Sequence, residues 1–268
     1  MNSSRQLVIE KNAENARNEY NAPEYGFADI FEASEKIGYR TIRYPIGSDA
    51  LLGFSLVKDS DRIVFSNSSS ILSREIFTIA HEIGHQRLHL SESGKTLIKD
   101  EDFSERNESE VEANYFAACL LMPSDRVKKF IRFEIGNKKT TPWDGLDIAR
   151  IQTAFSISYD MAIIRLKAID ILNEVAFKKL RIEKLEQSAT KFLNVIGGNI
   201  NLCRPTEVKR VPAEFLKWVI SNYNDKLIPK STLQTALSYV DLNADDIIDN
   251  NNMPEEEKTL NDLIREMD

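Results

Sequence analysis

All three histidines of this 268-residue chain, His81, His85 and His89, fall within nine residues, in the run FTIAHEIGHQRLH at 77–89. A residue type avoided elsewhere and then used three times in about two helical turns constrains this segment strongly. The run Ser66-Asn67-Ser68-Ser69-Ser70 supplies helix-start residues, so a helix is expected from somewhere in 70–74 to about Leu90. On a helix, positions i and i+4 stack on one face, about 5–6 Å apart at Cβ. His81 and His85 then both reach one divalent cation, with Zn–N distances of about 2.0–2.1 Å. Glu82 follows the first histidine and points to one side of that face, where it can act as general base on a water that the cation activates. The whole pattern is His-Glu-x-x-His.

A catalytic zinc takes three protein ligands and keeps one position open. His89 is the tempting third, but an unbroken helix carries it about 12 Å beyond His81. No glycine between His85 and His89 turns the chain back, so His89 is read as a helix-end or outer-shell residue. The next expected helix, about Ser109 to Met122, offers Glu110 and Glu112. These lie about 200° apart around a helix and cannot both face the metal. Asn114 shares the face of Glu110, while Ala113, Phe116, Ala117 and Leu120 form the apolar face.

Before the histidine segment, the pattern predicts a short amphipathic helix at Phe27 to Ile37, then strands at Tyr39–Tyr44, Leu51–Val57 and Arg62–Ser66. The last two strands flank a polar turn at residues 58–61. After residue 110 the pattern is helical: 124–135, 145–155 and 158–170, with a continuation through 171–193. Gly197-Gly198 breaks it, Ile200 and Leu202 read as a short strand, and helices follow at 212–224 and 230–240. Strands early and helices late make the fold class α+β. Residues 1–20 are polar and read as a frayed or loosely docked helix, and 91–109 as an acidic loop.

Charge enters through its distribution. Residues 241–268 carry a net charge of -8 out of -7 for the whole chain, so the body is near neutral. That balance argues against a protein whose main work is coating nucleic acid and leaves room for a local basic patch. The longest apolar runs fall far short of the ~20 residues of a membrane helix. The first twenty residues hold no apolar stretch of the kind that directs export. Two cysteines, Cys119 and Cys203, make neither a disulfide framework nor a metal knuckle, and neither has a neighbouring histidine. The expectation is a cytoplasmic protein without membrane contact.

The segments FTIAHEIGHQRLH (77–89) and EVEANYFAACLLMP (110–123) resemble the ImmA/IrrE-type metallopeptidases, which are gluzincin-like. The resemblance covers roughly residues 25–170. It implies a zincin-like domain, a small antiparallel sheet plus helices. The domains become an N-terminal helical extension (1–26), the metallopeptidase domain (27–172) with a helix-turn-helix-like pair (145–170), a connecting helix (173–195), and a small, mostly helical C-terminal domain with an acidic tail (196–268). It also implies His81, His85 and Glu110 as metal ligands, Glu82 as catalytic base, and Asn114 near the site. Zinc is the expected metal, although Mn2+ also accepts two imidazoles and a carboxylate. In proteins of this fold an edge strand, here Arg62–Ser66, holds a substrate peptide by strand addition. The implied substrate is a protein, a helix-turn-helix repressor of the XRE type, cut to derepress stress or mobile-element genes.

Two other functions compete. The pair LDIARIQTAFSISYDMAIIRL (146–166) could read DNA, with the metal purely structural. Its second helix presents Tyr159, Met161, Ile163 and Ile164, with Arg165 as its main basic residue, which argues against direct DNA binding. A sensor that holds metal and cleaves nothing is the other alternative, and the intact Glu82 argues against it.

Overall fold

The computed structural model describes residues 1–58, 60–90, 97–99, 108–136, 138 and 142–248. The acidic residues 100–107 and the tail from 249 lie outside the described residues. The chain divides into two compact units, Met1–Pro212 and a second from Ala213 onward.

The first unit is α+β. Helix α1 (Ser3–Glu19) and α2 (Ile30–Lys36) precede strands β1 (Tyr39–Tyr44), β2 (Gly53–Lys58) and β3 (Asp61–Asn67). Helix α3 (Leu72–His85) follows and runs into a π-helical turn, Gln86–Leu90. A short strand β4 (Leu97–Lys99) precedes α4 (Glu108–Leu121) and α5 (Ser124–Phe130), which ends in a second π-helical turn, Ile131–Ile135. Helices α6 (Gly145–Phe155), α7 (Tyr159–Ala168), α8 (Glu174–Gln187) and α9 (Ala189–Ile196) complete the helical half. A capping box built from Asp144 and Asp147 starts α6.

The four strands lie in the order β1-β3-β2-β4. The sheet is mixed, where a small antiparallel one is expected: β1 pairs with β3 in parallel. The connection after β1 carries the chain one strand position too far, and the β2–β3 hairpin then folds β3 back into the gap. Strand β3 is therefore central. The expectation that Arg62–Ser66 is a free edge fails, because both its neighbours use its backbone groups. Strand β4 pairs with β2 inside the segment expected to be loop.

Helix α3 buries Ile76, Ile79, Ala80 and Ile83 against Ala113, Phe116, Ala117 and Leu120 of α4. Each of the larger side chains among them, the isoleucines, Leu120 and Phe116, contributes roughly 1.5–3 kcal/mol of burial. Gly84 sets how close the two helices come. A Cβ there would stand 3.0 Å from Phe116 Cδ1 and 3.3 Å from the Ala113 backbone.

Other expectations are corrected. Residues 1–20 are not loosely docked: Ile9, Ala13, Ala16 and Arg17 of α1 are buried against α4. The interface uses one isoleucine, two alanines and one arginine, so no wide apolar stripe marks it in sequence. Arg17 donates to the carbonyls of Leu120, Pro23 and Tyr25, and burial lowers its pKa to about 10. The helical run through 171–193 breaks at Asp170 and Ser188, both with positive φ. Ile200–Cys203 is a 3-10 turn and not a strand. Residues 196–212 belong to the first unit: Arg43 and Arg210 exchange backbone hydrogen bonds, and Leu72 N donates to Arg204 O at 2.8 Å at the start of α3.

The second unit is helical, with α10 (Ala213–Asn224), α11 (Lys230–Ser238) and α12 (Ala244–Ile247). Leu233, Leu237 and Ala244 form its core beneath Leu216, Val219 and Ile220. Among the described residues, no helix is long and apolar enough to cross a membrane.

Candidate metal centre

The i, i+4 spacing on α3 brings His81 and His85 together, with their Nε2 atoms 2.9 Å apart. Glu110, in the first turn of α4, meets both. Its Oε2 lies 3.1 Å from His81 Nε2 and its Oε1 lies 3.1 Å from His85 Nε2. At metal–ligand distances of about 2.0–2.1 Å, tetrahedral ligand atoms stand about 3.3–3.4 Å apart. The three side chains are buried, and among the described residues they form the one His/Cys/Asp/Glu group able to hold a metal ion.

The hydrogen bonds behind the rings show that the set fits a cation. His81 Nδ1 lies 3.0 Å from Asn114 Oδ1, an acceptor, so the ring carries its proton there and turns a lone pair toward Glu110 from Nε2. His89 Nε2 lies 3.1 Å from Glu112 Oε2, which places a proton on that nitrogen. In a neutral imidazole the other nitrogen, Nδ1, is then the acceptor. That Nδ1 lies 3.1 Å from His85 Nδ1, which must then donate. His85 Nε2 therefore also presents a lone pair. Two lone pairs and a carboxylate converging within hydrogen-bond distance make a cation site.

Glu82 leaves α3 about 100° round from His81. Its side chain is fully buried toward β2, where Ser55 Oγ donates to Glu82 Oε2 and lies 2.9 Å from the Glu82 carbonyl oxygen. Gly53 lets β2 come this close, since a Cβ there would stand 2.4 Å from Thr78 Cγ2 and 3.4 Å from Glu82 Cγ.

Of the site residues expected from the sequence, His81, His85 and Glu110 come together, Asn114 and His89 stand behind the two imidazoles, and Glu82 is turned to Ser55. Glu112, the alternative to Glu110, faces away from the metal position and toward His89 and Arg5. His89, four residues beyond His85 and within the π-helical turn, meets it through Nδ1. Sequence reasoning missed Ser55, Arg5 and the role of Glu112. Ser55 sits in a strand whose alternation says only that it points inward, and Arg5 is one basic residue in a polar helix. Arg165 is buried, donating to Met122 O and Cys119 Sγ, so it does not present itself to phosphate. Helix α7 instead helps to wall a cavity of about 630 Å³ that also touches Phe77, Asn114 and Tyr115.

An α+β domain with His-Glu-x-x-His on one helix and a glutamate on the next defines a metallopeptidase-type centre. Comparison with known families agrees. The model of the IrrE N-terminal-like domain, peptidase family M78, matches residues 34–167, half of the chain, and the chain belongs to that family. No individual curated protein matches it.

Proposed function

We propose that this protein is a zinc-dependent endopeptidase that cuts one bond in a protein partner. The observation that carries the reading is the pair of back-side hydrogen bonds, to Asn114 and to His89, that turns both Nε2 lone pairs onto Glu110. His81, His85 and Glu110 would hold the ion. When bound, it supplies a Lewis acid that makes water acidic and polarises a carbonyl.

Glu82 takes the proton of the attacking water on one oxygen while Ser55 holds the other. The same carboxyl then returns the proton to the leaving amine, so Glu82 ends the cycle ionised. Asn114 and His89 orient the two imidazoles, and the buried walls around Glu82 keep bulk water from competing for its proton.

The partner we favour is a helix-turn-helix repressor of the XRE type, and the setting the cytoplasm. Both rest on the family resemblance. Incubating the zinc-loaded protein with such repressors and mapping products by mass spectrometry tests the whole reading. A single internal cut is expected from the wild type and none from Glu82→Gln, which should still bind zinc. Cleavage by Glu82→Gln would overturn the mechanism. Zinc binding with repressor capture but no cutting by the wild type would instead favour the sensor alternative.

A further inference from the structure

Helix α1 lies outside the residues matched by the family model, yet it reaches the back of the metal centre. Arg5 Nε donates to Glu112 Oε1 at 2.7 Å and Arg5 Nη2 to Glu112 Oε2 at 2.6 Å. This is a bidentate pair on a carboxylate whose side chain is only 8 % exposed. The same Oε2 accepts from His89 Nε2, and His89 Nδ1 meets His85 Nδ1. Four side chains thus run in line from the N-terminal helix to a metal-facing imidazole: Arg5, Glu112, His89, His85.

We propose that Arg5, Glu112 and His89 are positioning residues for the metal centre, and that α1 sets metal affinity through them. The inference rests on reading His81, His85 and Glu110 as ligands. The chain works by direction. Arg5 occupies both oxygens of Glu112 and fixes the carboxylate plane. Glu112 then accepts from His89 along one line only, and His89 has one nitrogen left, an acceptor, for His85. His85 must place its proton on Nδ1 and its lone pair on the ligand side. Without Arg5 the carboxylate rotates, His89 loses its anchor, and His85 is free to take the tautomer that points a proton at the ion.

A looser tie between helices would not act this way, and α1 provides the comparison. Tyr115 of α4 donates to Glu10 Oε1 at 2.5 Å, a second polar contact between the same two helices that touches no residue of the chain. Both Arg5 and Glu10 help to dock α1, but only Arg5 speaks to His85.

The test uses the full-length protein and zinc itself. Affinity is measured by competition with a chromogenic chelator, and the visible bands of the Co2+-loaded protein report the ligand geometry. Arg5→Ala and Glu112→Ala should each weaken zinc by about 10–100-fold. The double variant should be no worse than the weaker-binding single, since both break one chain. Arg5→Lys keeps the charge but cannot pair through two parallel bonds, so it should fall between. Glu10→Ala should bind zinc as the wild type does. Should Arg5→Ala lose helicity, His89→Gln carries the test, because it leaves the Arg5–Glu112 pair in place. Zinc affinity of a folded Arg5→Ala within twofold of wild type, with an unchanged Co2+ spectrum, would overturn the inference. So would an equal loss in Glu10→Ala. A wild type that binds no zinc would overturn the ligand assignment itself, which separates the two failures.

Discussion

Ser55 Oγ, on the strand β2, donates to Glu82 Oε2 on helix α3, and both side chains are fully buried. The hydroxyl holds one of the two carboxylate oxygens of Glu82 and so orients the base. Ser55→Ala should therefore lower kcat on the order of tenfold while metal content stays at wild-type level. Steady-state cleavage beside metal analysis reads both. A variant that loses zinc along with activity would place Ser55 in the scaffold and not beside the base.

The two glutamates of α4 should separate cleanly in metal content. Glu110→Ala removes the carboxylate between the imidazoles, so the purified protein should lose its zinc, expected at about one ion per chain. Glu112→Ala weakens an outer partner and should still hold that ion at micromolar protein, where even a hundredfold loss of affinity leaves a structural-strength site filled. Zinc retained in Glu110→Ala, and lost in Glu112→Ala, would reverse the assignment.

Much of this centre is legible in sequence because a helix converts spacing into direction. His81 and His85 are on one face wherever α3 sits, and Glu110 and Glu112 can never share one. The contacts across the fold are not legible. Ser55 meets Glu82 only because the hairpin folds β3 back into the middle of the sheet and Gly53 lets β2 approach α3. Arg5 meets Glu112 only because α1 docks on α4 through small residues that leave no amphipathic stripe. The parallel pairing of β1 with β3 is hidden for the same reason, since alternation reports which face is buried and not which neighbour is beside it.

Gly84 offers a test of the helix spacing itself. A β-branched side chain at this position must push on Phe116 and on the Ala113 backbone, one turn from Glu110. Gly84→Val should destabilise the fold by about 1–3 kcal/mol and weaken zinc binding at the same time. Chemical denaturation and chelator competition measure the two. Lost stability with unchanged affinity would mean that the ligand cluster does not depend on the α3–α4 distance.

The two thiols should differ in reactivity. Burial raises the Cys119 pKa, partly countered by Arg165 beside it, and the reactive species is the thiolate. Cys203 is half-buried. At pH 8 a thiol reagent should label Cys203 in the native protein and reach Cys119 only after denaturant is added. Raising the pH toward 9 should leave Cys119 protected, because its ionisation lies above the ordinary thiol value. Equal labelling of both in native protein would contradict the packing of α4 against α7.

The buried pair Arg43–Glu75 carries the last prediction. Arg43 of β1 donates from Nε and Nη2 to the two oxygens of Glu75 in the first turn of α3, each at 2.7 Å, with its guanidinium 3.8 Å over the Phe31 ring. Ser66 of β3 donates to Glu75 as well, and Thr206 stands beside the pair. This network fastens the start of α3 to the sheet, and the histidines lie further along the same helix. Removing one partner leaves a charge in a buried site, which costs about 3–5 kcal/mol, whereas removing both costs far less. Arg43→Met should therefore be strongly destabilising. Arg43→Met with Glu75→Met should recover most of that loss, since two apolar side chains of similar volume replace the pair. Urea denaturation of the two variants, monitored by circular dichroism, decides it. A double variant as unstable as the single would show that Ser66 and Thr206 need the Glu75 carboxylate for themselves. The anchor of α3 would then be the polar network and not the ion pair.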